Sequence, residues 1–253
     1  MAECRPDVPR IPFFLFLVEN SIISKGGLMK SIPQIIEEQV HRWQIQQQDK
    51  PEEKAIAPVV TISREPGSGG RIVAQKLSER LGFEVFHQEV LHEMAKRAEV
   101  SEQILATLDE RGLSILEDWI SSLVYDRHLW PDQYLQHLMN VIGTIGKHGR
   151  AVVVGRGANF ILPPGQGFRV RITASQRLRI NNIARDFNLS QDEAKRRVIK
   201  TESNRKAFIR KYFNADITDP INYDLVINTG TLSVSNAVDV IAAALGCLVE
   251  CQP

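Results

Sequence analysis

The feature that most constrains this chain is the stretch Val59-Val60-Thr61-Ile62-Ser63-Arg64-Glu65-Pro66-Gly67-Ser68-Gly69-Gly70-Arg71-Ile72-Val73-Ala74. Its β-branched, apolar start reads as a buried strand. Gly67, Gly69 and Gly70 let the backbone turn sharply, so that several N–H groups can face one concavity. The helix that opens behind them adds the positive end of its dipole. Strand, glycine turn and helix together make an anion site, and a nucleotide phosphate is the natural anion. An ordinary glycine turn is the competing reading, and the loop alone leaves the two open.

The usual phosphate-loop pattern is G-x-x-x-x-G-K-[ST]. With Gly69 as its last glycine, Gly70 falls at the lysine position and Ile72 at the hydroxyl position. Arg71 is the nearest cation, one residue late, and can offer phosphate a planar fork of donors. No hydroxyl follows it to hold Mg²⁺. A dinucleotide-binding turn fits less well, because Ile72 stands where the third glycine would be and no acidic residue closes the second strand.

Length and composition set bounds. The 253 residues suffice for one large α/β domain or two small ones, and 43% apolar content supports a full core. A net charge of +1 argues against binding nucleic acid through bulk charge. Cys4, Cys247 and Cys251 have neither metal-ligand spacing nor a disulfide framework, so a reducing cytoplasm is the simplest setting. Arg5 and Arg10 precede the apolar run Ile11–Val18, which resembles a short signal sequence but ends at Glu19 and is too short to span a bilayer. Met29 offers an alternative start. Residues 1–28 therefore read as a dispensable or mis-assigned extension without stable membrane association, with a weak membrane anchor as the alternative.

Periodicity and caps predict the elements. A helix runs over Ser31–Gln48, followed by a polar linker to Pro58. The helix after the glycine turn reaches Leu81 and stops at Gly82. A strand over Phe83–Phe86 leads to helices over Gln88–Ala98, Ser101–Leu108, Leu113–Trp130 and Asp132–His148. Ala151–Gly155 is an apolar run suited to a parallel strand buried on both faces. Strands follow at Phe168–Thr173 and Tyr223–Asn228. Ser175 caps one helix, and Ser190 with Glu193 forms a capping box for a basic helix reaching Phe213. A last helix over Ser233–Leu245 stops at Gly246. The alternation implies a mostly parallel sheet with helices on both faces. Trp119 and Trp130 read as helix packing.

Ligands in open α/β sheets sit beyond the C-terminal strand ends. Three clusters fall there or near it: the glycine loop, His87 after the second strand, and Arg156 in Gly155-Arg156-Gly157-Ala158-Asn159. The flanking glycines favour an arginine aimed at a phosphate or base over a plain strand-end ion pair, and Asn159 adds a donor and an acceptor. His87 could bond an acceptor nucleotide or be a satisfied half-buried histidine. The helix from Ser190 carries Lys195, Arg196, Arg197, Lys200, Arg205, Lys206, Arg210 and Lys211, with Glu202 one turn before Arg205. It is either a solvated face or a surface that closes over an anion. Phosphoryl transfer needs such donors, because charge spreads over the transferring oxygens.

Ile62–Arg71 and Val153–Asn159 resemble the cytidylate kinase-like family, related to the phosphate-loop nucleoside monophosphate kinases. Arg169–Ser175 resembles the strand of those kinases that ends Thr-Ala-Ser. Glu202-Ser203-Asn204-Arg205 resembles their lid segment, and Tyr223–Thr229 their final strand. The order is preserved from about Pro58 to Gly246. The resemblance implies an α/β, three-layer P-loop kinase-like fold with a mostly parallel sheet, helices on both faces and a helical lid. It divides the chain into residues 1–57, an extension, helix and linker, and residues 58–253, the kinase-like domain. That domain would hold a helical acceptor-binding insertion at about 88–148 and a lid helix at about 190–213.

By the same resemblance, the activity is ATP-dependent phosphoryl transfer to a small nucleotide, CMP or dCMP first. Gly67, Ser68, Gly69, Gly70 and Arg71 would cradle the donor phosphates. His87, Arg156, Asn159, Glu202 and Arg205 would hold the acceptor, and Arg71, Arg205 and Arg210 would neutralise charge in flight. ATP and Mg²⁺ are the implied cofactors, with no metal ligand identified; nucleic acid is not an expected partner, and oligomeric state stays open. Gly70, Gly157 and Glu202 replace a lysine and two aspartates of cytidylate kinases proper. These departures keep two alternatives open: a non-catalytic nucleotide-binding module, or a kinase for a non-nucleotide metabolite.

Overall fold

The computed structural model describes residues 21–23, 29–48 and 58–250. The apolar run Ile11–Val18 and most of the polar linker lie outside the described residues. Strands β1 (Ser21–Ile23) and β2 (Met29–Ser31) pair antiparallel and lead into helix α1 (Ile32–Gln48). Ser31 and Gln34 cap α1 reciprocally, with Ser31 N–H donating to Gln34 Oε1 at 2.9 Å. Ile32, Ile36, Val40 and Trp43 line its buried face and join the core of the sheet. Trp43 stacks on His148 at 4.5 Å and on Phe86 at 5.9 Å.

The main sheet has five parallel strands: β3 (Val59–Arg64), β4 (Glu84–Phe86), β5 (Ala151–Val154), β6 (Gly167–Thr173) and β7 (Leu225–Asn228). Their order is β4-β5-β3-β6-β7. The first strand of the sheet therefore lies at its centre, opposite Ala151 of β5 and Gly167 of β6 at Val59. The chain leaves β3 toward β4 and β5, then crosses to β6 on the other side. Such a switch point opens a crevice at the C-terminal strand ends.

Alternation along β3 divides the core. Val59, Ala151 and Val153 face one layer; Val60, Ile62, Val152, Val154, Val170 and Ile172 face the other. Helices α2 (Gly70–Leu81) and α10 (Val234–Glu250) cover the second face. On the first face lie α1, α3 (Gln88–Lys96), α4 (Ala98–Leu105), α6 (Gln133–His148), α7 (Ala158–Ile161) and the end of α9 (Gln191–Phe213). Helix α5 (Glu110–Asp126) packs outside α6, and α8 (Gln176–Phe187) packs on α9. The result is the expected three-layer P-loop kinase-like fold. The Ser190–Glu193 capping box heads α9 as read from the sequence.

Several boundaries differ from expectation for local reasons. Helix α3 ends at Lys96 because Arg97 is extended, and α4 then stops at Leu105. Helix α5 begins three residues early, where the Asp109 carboxylate accepts from Gly112 N–H at 2.7 Å. It ends at Asp126; His128 takes a left-handed backbone, which buries Leu129 and leaves Trp130 94% exposed. Trp119 does pack, donating from Nε1 to the Ile161 carbonyl at 2.7 Å. The short helix α7 carries no periodic signal. Helix α10 passes through Gly246, whose interior cost of about 1 kcal/mol is offset by its buried neighbours Ile241 and Leu245.

Candidate functional site

The glycine loop is held from outside. Gly67 and Gly69 both adopt left-handed backbone, at φ 79° and 76°. The Gly67 carbonyl accepts from Asn182 Nδ2 at 2.9 Å, and the Ser68 carbonyl from the Thr229 hydroxyl at 2.7 Å. A Cβ at Gly67 would overlap the Arg179 backbone. Because a trans peptide sets N–H opposite C=O, the Gly69 amide faces away from Thr229, whereas the Ser68 amide and hydroxyl, expected in the cradle, donate to the Glu65 carbonyl at 3.3 and 2.9 Å. The amides of Gly70 and Arg71 head α2, where no intrahelical carbonyl serves them.

Glu65 braces this loop. Its Oε2 accepts from Ala174 N–H at 3.1 Å and lies 3.3 Å from Arg179 Nε, while Oε1 lies 3.8 Å from Arg171 Nη2. Arg171 is buried and also donates to the Ser63 hydroxyl at 3.0 Å, which follows from the register that sets it opposite Ser63.

Beyond the strand ends, four arginines converge: Arg64, Arg71, Arg156 and Arg205. Arg71 meets Glu89 at 3.5 Å. Arg64 donates from Nη2 to Gln88 Oε1 at 2.7 Å, and Arg205 donates from Nη1 to the Arg64 carbonyl at 2.7 Å. Arg156 has its guanidinium over the Phe208 ring at 5.5 Å, and its Nε is buried without a partner. Its backbone is left-handed, at φ 54°, between two glycines of the same hand. For a non-glycine residue that strain is of order 1–2 kcal/mol, and the surrounding packing must hold it.

Among the described residues, no carboxylate reaches ion-pairing distance of Arg64, Arg156 or Arg205. Burial and the neighbouring Arg205, Arg71 and Arg156 charges hold Arg64 well below the usual arginine pKa. Burial, with Arg171 and Arg156, lowers Arg205 to about 10, so it stays charged at neutral pH. Burial alone would raise the Glu89 carboxyl, but Arg71, a backbone hydrogen bond and Gln88 outweigh it and hold Glu89 ionised; its Oε2 is buried without a partner.

The other expected site residues fall in several places. His87 is buried at the head of α3; burial, with Arg71 and Arg64, pushes it down to about 3, so the imidazole is neutral. Asn159 donates to the Asn222 carbonyl at 3.5 Å, away from the arginines. Glu202 is bound by Arg179 at 3.0 Å and Lys206 at 2.9 Å, and these bonds keep its carboxyl below its usual value despite the opposing effect of burial. Arg210 lines a separate groove of about 430 Å³ with Ser203, Lys206 and Asp216. The crevice bounded by Arg64, Glu65, Arg171, Glu202 and Arg205 retains only about 10 Å³.

Sequence reading passed over Arg64, Glu65, Glu89, Arg171 and Arg179. A signal for Arg64 exists: counting back from Gly69, the first glycine of the phosphate-loop pattern falls at Arg64. The same strict count puts Arg71, rather than Ile72, at the hydroxyl position, and neither carries a hydroxyl. The donor set fits a polyphosphate, since the orphan amides and three unpaired guanidiniums all favour an anion. For Mg²⁺, no group of three or more His, Cys, Asp or Glu comes together among the described residues. A metal would be carried on the phosphates, a mode that suits Mg²⁺, with Glu89, 3.5 Å from Arg71, as a carboxylate available to it.

The fold is that of the P-loop kinases. The profile of the cytidylate kinase-like family matches residues 59–231, and the chain belongs to that family. It is 25% identical over 206 residues to a cytidylate kinase of Methanopyrus kandleri, covering 78% of this chain and 97% of the relative. It is 30% identical over 193 residues to a cytidylate kinase of Natronomonas pharaonis, covering 74% and 88% respectively. The crystal structure of an uncharacterized protein from Eubacterium ventriosum shares the fold, with a TM-score of 0.57 at 22% identity over 75% of this chain and 98% of that one. The family implies ATP as phosphoryl donor. Among the described residues, no helix is long and apolar enough to cross a membrane.

Proposed function

We propose that the protein transfers the terminal phosphoryl group of ATP to a small nucleotide, with CMP or dCMP as the first acceptor. The observation that carries this reading is the set of three guanidiniums, Arg64, Arg156 and Arg205, gathered at the strand ends with no carboxylate at ion-pairing distance among the described residues. Three half-buried like charges, offset in part by the nearby Glu89, favour the arrival of a partner of opposite sign, and a reaction between two phosphates supplies it.

In this reading the amides of Gly67, Gly69, Gly70 and Arg71 hold the donor phosphates, and Arg71 neutralises them from the edge of α2. Arg156 and Arg205 hold the acceptor phosphate and stabilise the equatorial oxygens in the transition state. No strong base is required, because an acceptor phosphate is already ionised and positioning supplies most of the rate. Arg205 reaches the crevice from α9, so lid movement admits the nucleotides. Glu202 joins the acceptor site on release from Lys206, and His87 remains a neutral neighbour of Arg71.

A coupled ATPase-linked assay over a panel of nucleoside monophosphates, with Mg²⁺, tests this. Turnover is expected to be highest with CMP or dCMP. Absence of turnover with every monophosphate at micromolar enzyme would refute the nucleotide-kinase reading. Activity confined to a non-nucleotide alcohol or acid would reassign the acceptor.

A further inference from the structure

Gly70 stands where the phosphate-loop pattern has its lysine, and Arg64 stands where that pattern has its first glycine. The structure relates the two positions directly. A Cβ built on Gly70 would lie 2.5 Å from Arg64 Cβ and 3.1 Å from its Cγ. The side chain of Arg64 therefore begins in the space through which a residue-70 side chain would have to leave the helix. Real Cβ atoms do not approach so closely, so a lysine at 70 and an arginine at 64 exclude each other in this backbone.

The far end of the same side chain has been cleared as well. A Cβ at Gly155 would overlap Arg64 Nη1 and lie 3.1 Å from Cζ. Gln88 fixes the fork through its 2.7 Å bond to Nη2. The stem thus passes Gly70 at the start of α2, and the guanidinium lies between Gly155 and Gln88 at the head of α3. No carboxylate among the described residues reaches ion-pairing distance of it; Arg205, Arg71 and Arg156 surround it with like charge, which the more distant Glu89 offsets in part.

We infer that Arg64 is the phosphate-loop cation of this protein: it supplies from the end of β3 the positive charge that the usual lysine supplies from the helix, and it binds the donor polyphosphate. This rests on the nucleotide-binding reading above and specifies which residue does the work there. A guanidinium offers phosphate two parallel N–H donors, where an ammonium offers a point charge. Gly70 is then a glycine because Arg64 needs its space, and Gly155, which its left-handed backbone already favours as glycine, leaves room for the guanidinium.

The test uses the full chain and isothermal titration with ATP and, separately, inorganic tripolyphosphate. Arg64→Gln, which cannot carry the charge, is expected to weaken both ligands at least tenfold. Gly70→Lys alone is expected to weaken both as well, because its Cβ displaces Arg64. The double variant Arg64→Gly with Gly70→Lys rebuilds the usual arrangement and is expected to bind tripolyphosphate within about threefold of wild type. Wild-type binding that survives unchanged in folded Arg64→Gln overturns the Arg64 assignment alone. Should Arg64→Gln not fold, a folded double variant that fails to bind overturns it. Failure of the wild-type protein to bind either probe overturns the nucleotide reading and this assignment together.

Discussion

Glu65→Ala perturbs the brace behind the glycine loop, and its cost can be worked from the partners left behind. Glu65 accepts from Ala174 N–H and faces Arg171 and Arg179, both with side chains only 7% exposed. Arg179 keeps a second carboxylate, Glu202 at 3.0 Å, and its bond to the Ala174 carbonyl. Arg171 keeps only neutral partners, the Ser63 and Tyr223 hydroxyls. Removing one member of a buried ion pair typically costs about 3–5 kcal/mol. With one arginine still paired, the lower end applies, about 3 kcal/mol. Glu65→Gln retains an oxygen for Ala174 N–H and should cost about 1–2 kcal/mol less than the alanine change. Urea denaturation followed by circular dichroism reads both values, with an unchanged m-value as the control. An alanine variant within about 1 kcal/mol of wild type would show that the two arginines find water or other partners, and that Glu65 does not brace the loop.

Two further outcomes concern histidines and packing. His87 and His148 are pushed down to about 3 and about 4, in both cases first by burial, so the fold holds them neutral while the unfolded chain protonates near pH 6.5. Their stability contribution is thus present above pH 6.5 and lost as pH falls, by up to about 1.4 kcal/mol per unit for each until the folded pKa is reached. Urea midpoints between pH 4.5 and 7.5 should slope less in a His87→Asn, His148→Gln double variant, and equal slopes would contradict the assignment. Gly157→Ala would set a methyl 2.7 Å from Phe213 Cζ at a left-handed φ of 72° and should cost about 3 kcal/mol in the same assay, whereas a neutral effect would mean that the Arg156 corner moves freely.

What the sequence reveals here is what depends on neighbours in the chain. The apolar run before Gly67, the Ser190–Glu193 box and the glycines around Arg156 each act within a few residues, and each is found where the spacing puts it. Arg205 and Arg210 show the next level. Five residues on a helix turn about 140° around its axis, so the two cannot share a face. Arg205 points to Arg64, and Arg210 lines the groove beside Asp216. Helical geometry alone could have separated them. Glu65, Arg171 and Glu89 are illegible for a different reason. Glu65 matters because β6 lies beside β3 in a register that sets Arg171 opposite Ser63, and Glu89 because β4 ends near α2 and brings it to Arg71. No local pattern encodes those approaches.

Arg64 combines both cases and bears on how an altered phosphate loop should be read. A pattern fixes which position carries a cation, but a phosphate responds only to where the charge arrives. The volume beside Gly70 can be entered from residue 70 or from residue 64, and here residue 64 enters it. A glycine at the lysine position then signals displacement of the cation rather than its loss. The same logic accounts for Gly155, whose missing side chain makes room for the guanidinium at the other end. A chain that had discarded phosphate binding would have no physical reason to keep Gly70 cleared beside a half-buried arginine that meets no carboxylate at ion-pairing distance among the described residues. Relaxed packing would let Gly70 gain a methyl and would leave Arg64 free to swing toward solvent, where its hydration costs nothing.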